Sequence, residues 1–238
     1  MTQIHLLVLA GGFGTRLRPA VSDVPKPLAP VGGRPYLAYL IESWLDQGVS
    51  SMSFLLHHQA AMIEEFLYSL KQNGLMRNCT LQIVKEPKPL GTGGAIALAV
   101  AELGLSQSFL VANADTWLGT GIGEMASVDA PAMAVVPVEN TARYGSVTIN
   151  TDKIIAFEEK QHSKGPGRIN AGLYHLHPAS FAGWDGQAFS MEQVLFPALV
   201  NVGTLNAVEL KTDFVDIGIP SDYFRFCRWI DAGKTGAL

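Results

Sequence analysis

The chain has 238 residues, 48% of them hydrophobic and 16% charged, and its 17 basic against 21 acidic side chains give a formal charge of −4. That composition can fill a sizeable folded core, but it supplies no global positive field for nucleic acid or an anionic membrane, so neither is an expected partner. Its two cysteines, Cys79 and Cys227, stand far apart with no C-x-x-C partner, which argues against a thiolate metal site and a disulfide framework; both are read as reduced and structural.

Ile4 to Ala10 is a continuous apolar run of strand length that ends in glycines, the pattern of a buried strand in a parallel sheet. It is too short to cross a bilayer, and Met1 to His5 lacks the basic start of a signal peptide, so a cytoplasmic location is expected. The loop that follows runs from Leu9 to Pro30 and gathers several phosphate-handling devices. Gly11, Gly12 and Gly14 let backbone N–H groups come close to a bulky anion. Thr15 adds a hydroxyl, Arg16 a planar fork, and Lys26 a compact ammonium on backbone stiffened by Pro25 and Pro27. A dinucleotide fingerprint would need glycine where the chain has Leu17, and a Walker A loop would need lysine followed by Ser or Thr; neither pattern is met. A glycine-rich surface turn with two solvated cations is the plainer alternative, and Arg16 together with the P-K-P clamp weighs against it. The loop reads as a polyphosphate cradle.

Pro35, Leu37, Leu40, Ile41, Trp44 and Leu45, stopped by Gly48, predict a one-faced helix. Val49 to Leu56 predicts a strand ending in His57 and His58, which read as surface histidines. Gln59 to Asn73 predicts a second helix and Thr80 to Val84 a third strand. Gly94 to Leu103 predicts a short helix opened by the G-T-G-G turn, and Phe109 to Ala112 a strand that delivers Asn113 and Asp115 to its C-terminal end. This alternation predicts a doubly wound α/β sheet with its ligand crevice beyond the strand ends. After Ala132 to Pro137 the pattern changes to paired strands: Ser146 to Ile149 and Lys153 to Phe157 form a hairpin, and Gly172 to Leu176 adds a strand. Ser190 and Gln193 offer a capping box to a helix through Val200. Ile219 to Ala232 predicts a closing helix with Trp229, Phe226 and Phe224 as core packing.

G-G-F-G-T-R-L-R-P with P-K-P-L is followed in order by Glu86 to Ala95 (E-P-K-P-L-G-T-G-G-A) and Asn113 to Asp115 (N-A-D). Then come Tyr144-Gly145, Phe157 to Lys160 (F-E-E-K), Asn170 to Gly172 (N-A-G) and Phe214 to Pro220 (F-V-D-I-G-I-P). Together these resemble the signature of the sugar-1-phosphate nucleotidyltransferases. The L-G-T-G-G-A-I segment and the length are most similar to the D-glycero-D-manno-heptose 1-phosphate guanylyltransferases of bacteria. The resemblance implies a Rossmann-like, GT-A-like doubly wound mixed sheet in one domain spanning 1–238, without the C-terminal β-helix of larger relatives. About 1–130 would hold the nucleotide and about 131–238 the sugar phosphate.

It further implies an NTP, with GTP favoured, and a sugar 1-phosphate as substrates, Mg²⁺ as cofactor, and homodimers as common among such enzymes. Arg16 and Lys26 become the catalytic cations, and Asp115 and Asp216, each ending an apolar run, the metal ligands. Leu9, Ala10, Gly11, Gly12, Gly14, Thr15, Glu86, Gly91, Thr92, Gly93 and Asn113 surround the nucleotide. Gly145, Glu159, Lys160, Asn170, Gly172 and Glu192 surround the sugar phosphate. On residue type alone, Lys160 reads by default as a solvated strand-end lysine and Glu192 as an acid suited to a helix first turn; the resemblance favours the substrate role for Lys160. The loop Gln161 to Arg168 reads as a flap over the sugar phosphate or as a plain loop. Ala114 departs from the family's usual glycine and adds a methyl group to the pocket wall. Mannose 1-phosphate with GTP, N-acetylmuramate or glucose 1-phosphate with UTP or dTTP, and a catalytically silent nucleotide-sugar sensor are the alternatives.

Overall fold

The apolar N-terminal run forms β1 (His5–Leu9), and its residues alternate between two cores: Leu6 and Val8 face one, Leu7 the other. That is the period-two consequence of strand geometry. The computed structural model describes residues 4–158 and 165–234. After β1, a long loop containing one 3₁₀ turn at Lys26–Leu28 leads to a small ribbon of β2 (Pro30–Val31) and β3 (Arg34–Pro35). Helix and strand then alternate through α1 (Tyr36–Asp46), β4 (Ser51–Leu56), α2 (Ala60–Gln72), β5 (Thr80–Lys85), α3 (Gly91–Leu103) and β6 (Phe109–Asn113). Next come β7 (Thr116–Leu118), α4 (Ile122–Ala126), β8 (Ala132–Val138), the hairpin of β9 (Ser146–Asn150) and β10 (Lys153–Glu158), and the long β11 (Gly167–Leu176). The chain closes with α5 (Phe196–Asn201), β12 (Asn206–Glu209), β13 (Phe214–Asp216) and α6 (Pro220–Asp231).

Nine strands make one mixed sheet in the order β5-β4-β1-β6-β11-β8-β12-β10-β9, and β9 also pairs with β11. The β5-β4-β1-β6 segment is parallel, whereas β11 runs antiparallel to both β6 and β8. Leu37 and Trp44 of α1, Ile63 of α2 and Phe226 of α6 pack on one face, and Ile96 of α3 and Phe196 of α5 on the other. None of the described helices is long and apolar enough to cross a membrane.

This register builds the cleft. Leu9 stands opposite both Leu55 and Asn113, so β1, β4 and β6 end level with one another. Backbone bonds continue past the strands, from Ala10 N–H to Leu55 O at 3.1 Å and from Ala114 N–H to Leu9 O at 3.0 Å. The separate ribbon of β13 and β7 sets Asp216 opposite Thr116, beside Asp115.

Four sequence expectations shift. The helix expected from Gly94 begins at Gly91, so the G-T-G-G residues are its first turn; glycine is a poor helix former, but here side chains would collide with Phe189. The strand expected at Gly172 begins at Gly167 and changes register between Asn170 and Tyr174, a bulge centred on Gly172 with φ +72°. The helix after Ser190 starts as a π turn at Met191–Leu195, with Phe196 N–H on Met191 O, and Pro197 in the first turn of α5 has no N–H for the Gln193 carbonyl. Phe224 is not core: it is 47% exposed, while Phe226 and Trp229 on the opposite face of α6 are buried.

Candidate active site

Lys26 lies at the centre. Its 3₁₀ turn is locked by Leu28 N–H to Pro25 O at 2.7 Å, and its side chain, only 9% exposed, carries the ammonium to Asp115 Oδ2 at 2.5 Å and to within 3.5 Å of Asp216 Oδ1. Gly14 turns the loop over this stem with φ +61°, and a Cβ there would stand 3.1 Å from Lys26 Cβ. At the other end of the side chain, a Cβ on Gly218 would meet Asp216 Oδ1 at 2.7 Å and Lys26 Nζ at 3.1 Å. The space beside Asp216 and the ammonium exists because position 218 lacks a side chain.

The acids differ in character. Burial opposes charge on Asp115, but Lys26, a 3.1 Å bond from Thr116 Oγ1 and the nearby Arg16 outweigh it and hold the carboxyl below its ordinary value. Asp216 is pushed the other way, by burial and by the charge on Asp115; Lys26, the Gly218 N–H at 2.7 Å and Arg16 compensate only in part. Tyr36, fully buried at the start of α1, has a hydroxyl with no partner among the described groups. Burial and the fields of Asp115 and Asp216 hold its phenol well above the usual range.

Three hollows converge on Asp115. The first, of about 280 Å³, is lined by Leu9, Ala10, Gly12, Phe13, Gly14, Thr15, Arg16 and Lys26. The second, about 300 Å³ and mostly apolar, lies between Leu9, Gly11, Gly12 and Phe13 on one side and Glu86, Pro89, Gly91, Thr92 and Ala95 on the other, with Asn113 at its floor. The third, about 310 Å³, runs from Arg16, Asp115 and Asp216 to Gly145, Asn170, Gly172 and Glu192. Asn170 Oδ1 accepts the Gly172 N–H at 2.9 Å, and Asn170 Nδ2 donates to Tyr174 OH at 2.9 Å. Glu192 accepts from Thr92 Oγ1 at 2.8 Å and from Ser190 Oγ at 2.7 Å, tying this wall of the third hollow to α3.

Gly93 does not join them. Its N–H donates to Phe189 O at 3.0 Å and a Cβ would lie 2.1 Å from the Phe189 ring, so it seats α3 rather than offering a free group to a ligand. Glu159 and Lys160 lie outside the described residues, as does the first half (161–164) of the Gln161 to Arg168 segment; its final residues, from Gly167, begin β11.

Several lining residues were not expected from sequence. His57, read as a surface residue, lines the second hollow and bonds through Nδ1 to Glu86 O at 3.1 Å. Phe13 is half-exposed, its ring 5.1 Å from that of His58 and 6.0 Å from that of His57; a large aromatic inside a glycine run was the available signal. Arg143, Tyr144 and Tyr174 line the third hollow, and only Tyr144 belonged to a quoted motif.

Residues 5–235 match the family described as nucleotidyl transferase. The chain belongs to the nucleotidyl transferase family. Among solved structures, this nucleotidyl transferase is similar to HddC from Yersinia pseudotuberculosis, at 33% identity and a TM-score of 0.82 over 96% of this chain and 100% of that one. HddC has also been solved complexed with GMP-PN. A UDP-glucose pyrophosphorylase complexed with UDP-glucose, at 19% identity and a TM-score of 0.79, shares the fold. Among curated proteins, it is 33% identical over 232 residues to a probable mannose-1-phosphate guanylyltransferase of Oryza sativa subsp. japonica, and 34% identical over 227 residues to a mannose-1-phosphate guanyltransferase of Neurospora crassa. These alignments cover 93% and 91% of this nucleotidyl transferase but only 63% and 61% of those relatives.

Proposed function

We propose that this nucleotidyl transferase joins a sugar 1-phosphate to a nucleoside triphosphate, forming a nucleotide sugar and pyrophosphate. The observation that carries the reading is the meeting of three hollows at Asp115, with Lys26 Nζ 2.5 Å from its carboxylate: triphosphate, base and sugar each have a compartment. A phosphate oxygen of the sugar phosphate attacks the α-phosphorus in line, the new P–O bond forms, and the bond to the β-phosphate oxygen breaks with its electron pair leaving on pyrophosphate. The attacking monoester, with a second pKa of about 6, is largely dianionic near neutrality and needs no general base. What the protein supplies is position and positive charge. The glycine loop and Thr15 cradle the triphosphate, while Arg16 and Lys26 offset charge growing on the phosphate oxygens.

Asp115 and Asp216 are the residues that would hold Mg²⁺. Two hard oxygen donors with a cradle kept open by Gly218 suit an ion that usually binds through one or two carboxylates plus substrate phosphates, and the orphaned Tyr36 hydroxyl in their field suits an ordered polar ligand there. When bound, the ion supplies charge neutralisation at the triphosphate. The carboxylates would then exchange Lys26 for the ion and leave its ammonium to the phosphates.

Guanine fits the base compartment through Glu86. Leu90 N–H donates to Oε2 at 2.9 Å, and Oε1 lies against Gly11, where a Cβ would come within 2.7 Å. A carboxylate only accepts; guanine offers two adjacent donors on its pairing edge, whereas uracil and thymine flank one N–H with carbonyls, and adenine and cytosine set an acceptor beside their amino group. Burial raises the Glu86 carboxyl, against the Leu90 N–H and His57, so a ligand that donates twice favours its ionised form. The GMP-PN complex of HddC supports the same base.

For the sugar we favour D-glycero-α-D-manno-heptose 1-phosphate, on the sequence resemblance, which assigns Gly145, Glu159, Asn170, Gly172 and Glu192 to its hydroxyls and Lys160 to its phosphate. Mannose 1-phosphate is the second reading, carried by the curated relatives. Residues 1–130 and 131–238 would thus divide nucleotide from sugar within one domain. A pyrophosphate-release assay over a grid of four NTPs and several sugar 1-phosphates tests this, with GTP and the heptose phosphate expected fastest. Tight GTP binding without turnover of any pair would favour a sensor instead.

A further inference from the structure

Arg143, in the loop between β8 and β9, lines the sugar-side hollow, where Arg16 is the other basic residue of the described lining. Arg16 also lines the glycine-loop hollow; Arg143 does not. The guanidinium is held in place from two directions. Nη2 donates to Asp222 Oδ2 at 2.6 Å and to Tyr144 OH at 2.8 Å, and Cζ stands 5.2 Å from the centre of the Tyr144 ring. The remaining Nε and Nη1 donors make no hydrogen bond among the described residues, and the side chain is 44% exposed.

Asp222, in the first turn of α6, is 8% exposed, and Arg225 is its second cation at 3.8 Å. A buried carboxylate is costly unless paired, so this one anchors a guanidinium on a residue that lines a cavity. Charge makes its remaining donors useful. The described lining of the hollow carries Asp115, Asp216 and Glu192 against Arg16 and Arg143. A nearly dianionic phosphate monoester entering there meets three acids, two of which share the Lys26 ammonium, and Arg16 is shared with the triphosphate side. A planar cation fixed on the sugar side offsets that repulsion.

We propose that Arg143 is a substrate-contacting residue that takes the phosphate of the incoming sugar 1-phosphate through the nitrogens left free by Asp222 and Tyr144, and that Asp222 is its positioning residue. Tyr144 OH accepts from Arg143, which leaves its own proton for a sugar hydroxyl. The inference rests on the transferase reading above. Its test uses the GTP and sugar 1-phosphate pair that the wild type turns over fastest, with separate KM values for each substrate and thermal melting of every variant.

Arg143→Met should raise KM for the sugar phosphate roughly 10- to 100-fold, the size of a lost charge-assisted contact, with KM for GTP within about twofold. Arg143→Lys should recover part of the loss, and Asp222→Asn should raise the same KM by less than Arg143→Met. A lower melting temperature with both KM values unchanged would make the pair a structural pin and overturn the proposal, as would an equal rise in both KM values. Should Asp222→Asn not fold, the two Arg143 variants still decide, since that side chain is exposed. An active wild type with unaltered Arg143→Met kinetics sinks this inference alone; a wild type that turns over no pair sinks the transferase reading and this inference with it.

Discussion

The two sides of the cleft are built from different material. The proposed nucleotide side is backbone: a glycine loop leaving β1, the first turn of α3, and parallel strands that end level because Leu9 faces Leu55 and Asn113. The proposed sugar side is side chains from a strand, a loop and helix starts, with Asn170 of β11 on Tyr174, Glu192 on Thr92 of α3, and Arg143 on Asp222 of α6. Backbone groups suit what every substrate of such an enzyme shares, the triphosphate, whereas side chains can be exchanged one at a time to suit different sugars. The family motifs fall on both sides, and so do the residues that they overlooked: His57 on the first, Arg143 and Tyr174 on the second.

Lys26 serves both sides at their junction, so Lys26→Ala should produce the largest effect: kcat lower by about 10²–10³-fold with either substrate saturating, the loss typical of one preorganised transition-state group. A near-normal rate in steady-state assays would break the common-centre picture. Next, Gly93→Ala tests whether the nucleotide side depends on close backbone packing. Alanine favours a helix by about 1 kcal/mol over glycine, but its Cβ would lie 2.1 Å from the Phe189 ring. A net destabilisation of about 1–3 kcal/mol is expected in chemical denaturation, as for other overpacked sites; a gain in stability would show that Phe189 can yield.

Glu86→Gln probes the one place where the nucleotide side uses a side chain to choose. The preference for GTP over UTP in kcat/KM should fall by about 10- to 100-fold, the cost of mispairing one buried polar group, and an unchanged ratio would return base choice to the backbone. The smallest effect lies away from both sides. Burial, together with Cys227, pushes the Tyr223 phenol up to about 12, and its hydroxyl donates to Pro30 O. A raised pKa means that the folded state holds this proton more tightly. Its contribution is therefore complete below the unfolded value of about 10 and is lost as pH rises through about 12. Denaturation midpoints should fall across that window and Tyr223→Phe should flatten the slope; an identical slope would remove Tyr223 as the cause.

Much of this molecule was legible beforehand because its cues are local. Apolar runs of strand length, helical spacing with glycine stops, and a glycine loop clamped by prolines act through neighbours in sequence, and they set the alternation of β1 through β6 and put Arg16 and Lys26 on one loop. Where packing overrode propensity the reading slipped. Gly91 and Gly93 enter α3 because Phe189, far along the chain, fills the space that side chains would need. The family resemblance paired Asp115 with Asp216 and the β13–β7 ribbon brings them together, whereas tertiary structure alone decided that His57 meets the Glu86 carbonyl and Arg143 the buried Asp222. Such contacts join residues tens of positions apart, and their strength depends on a few tenths of an ångström and on exclusion of water, neither of which has a local signature in the sequence.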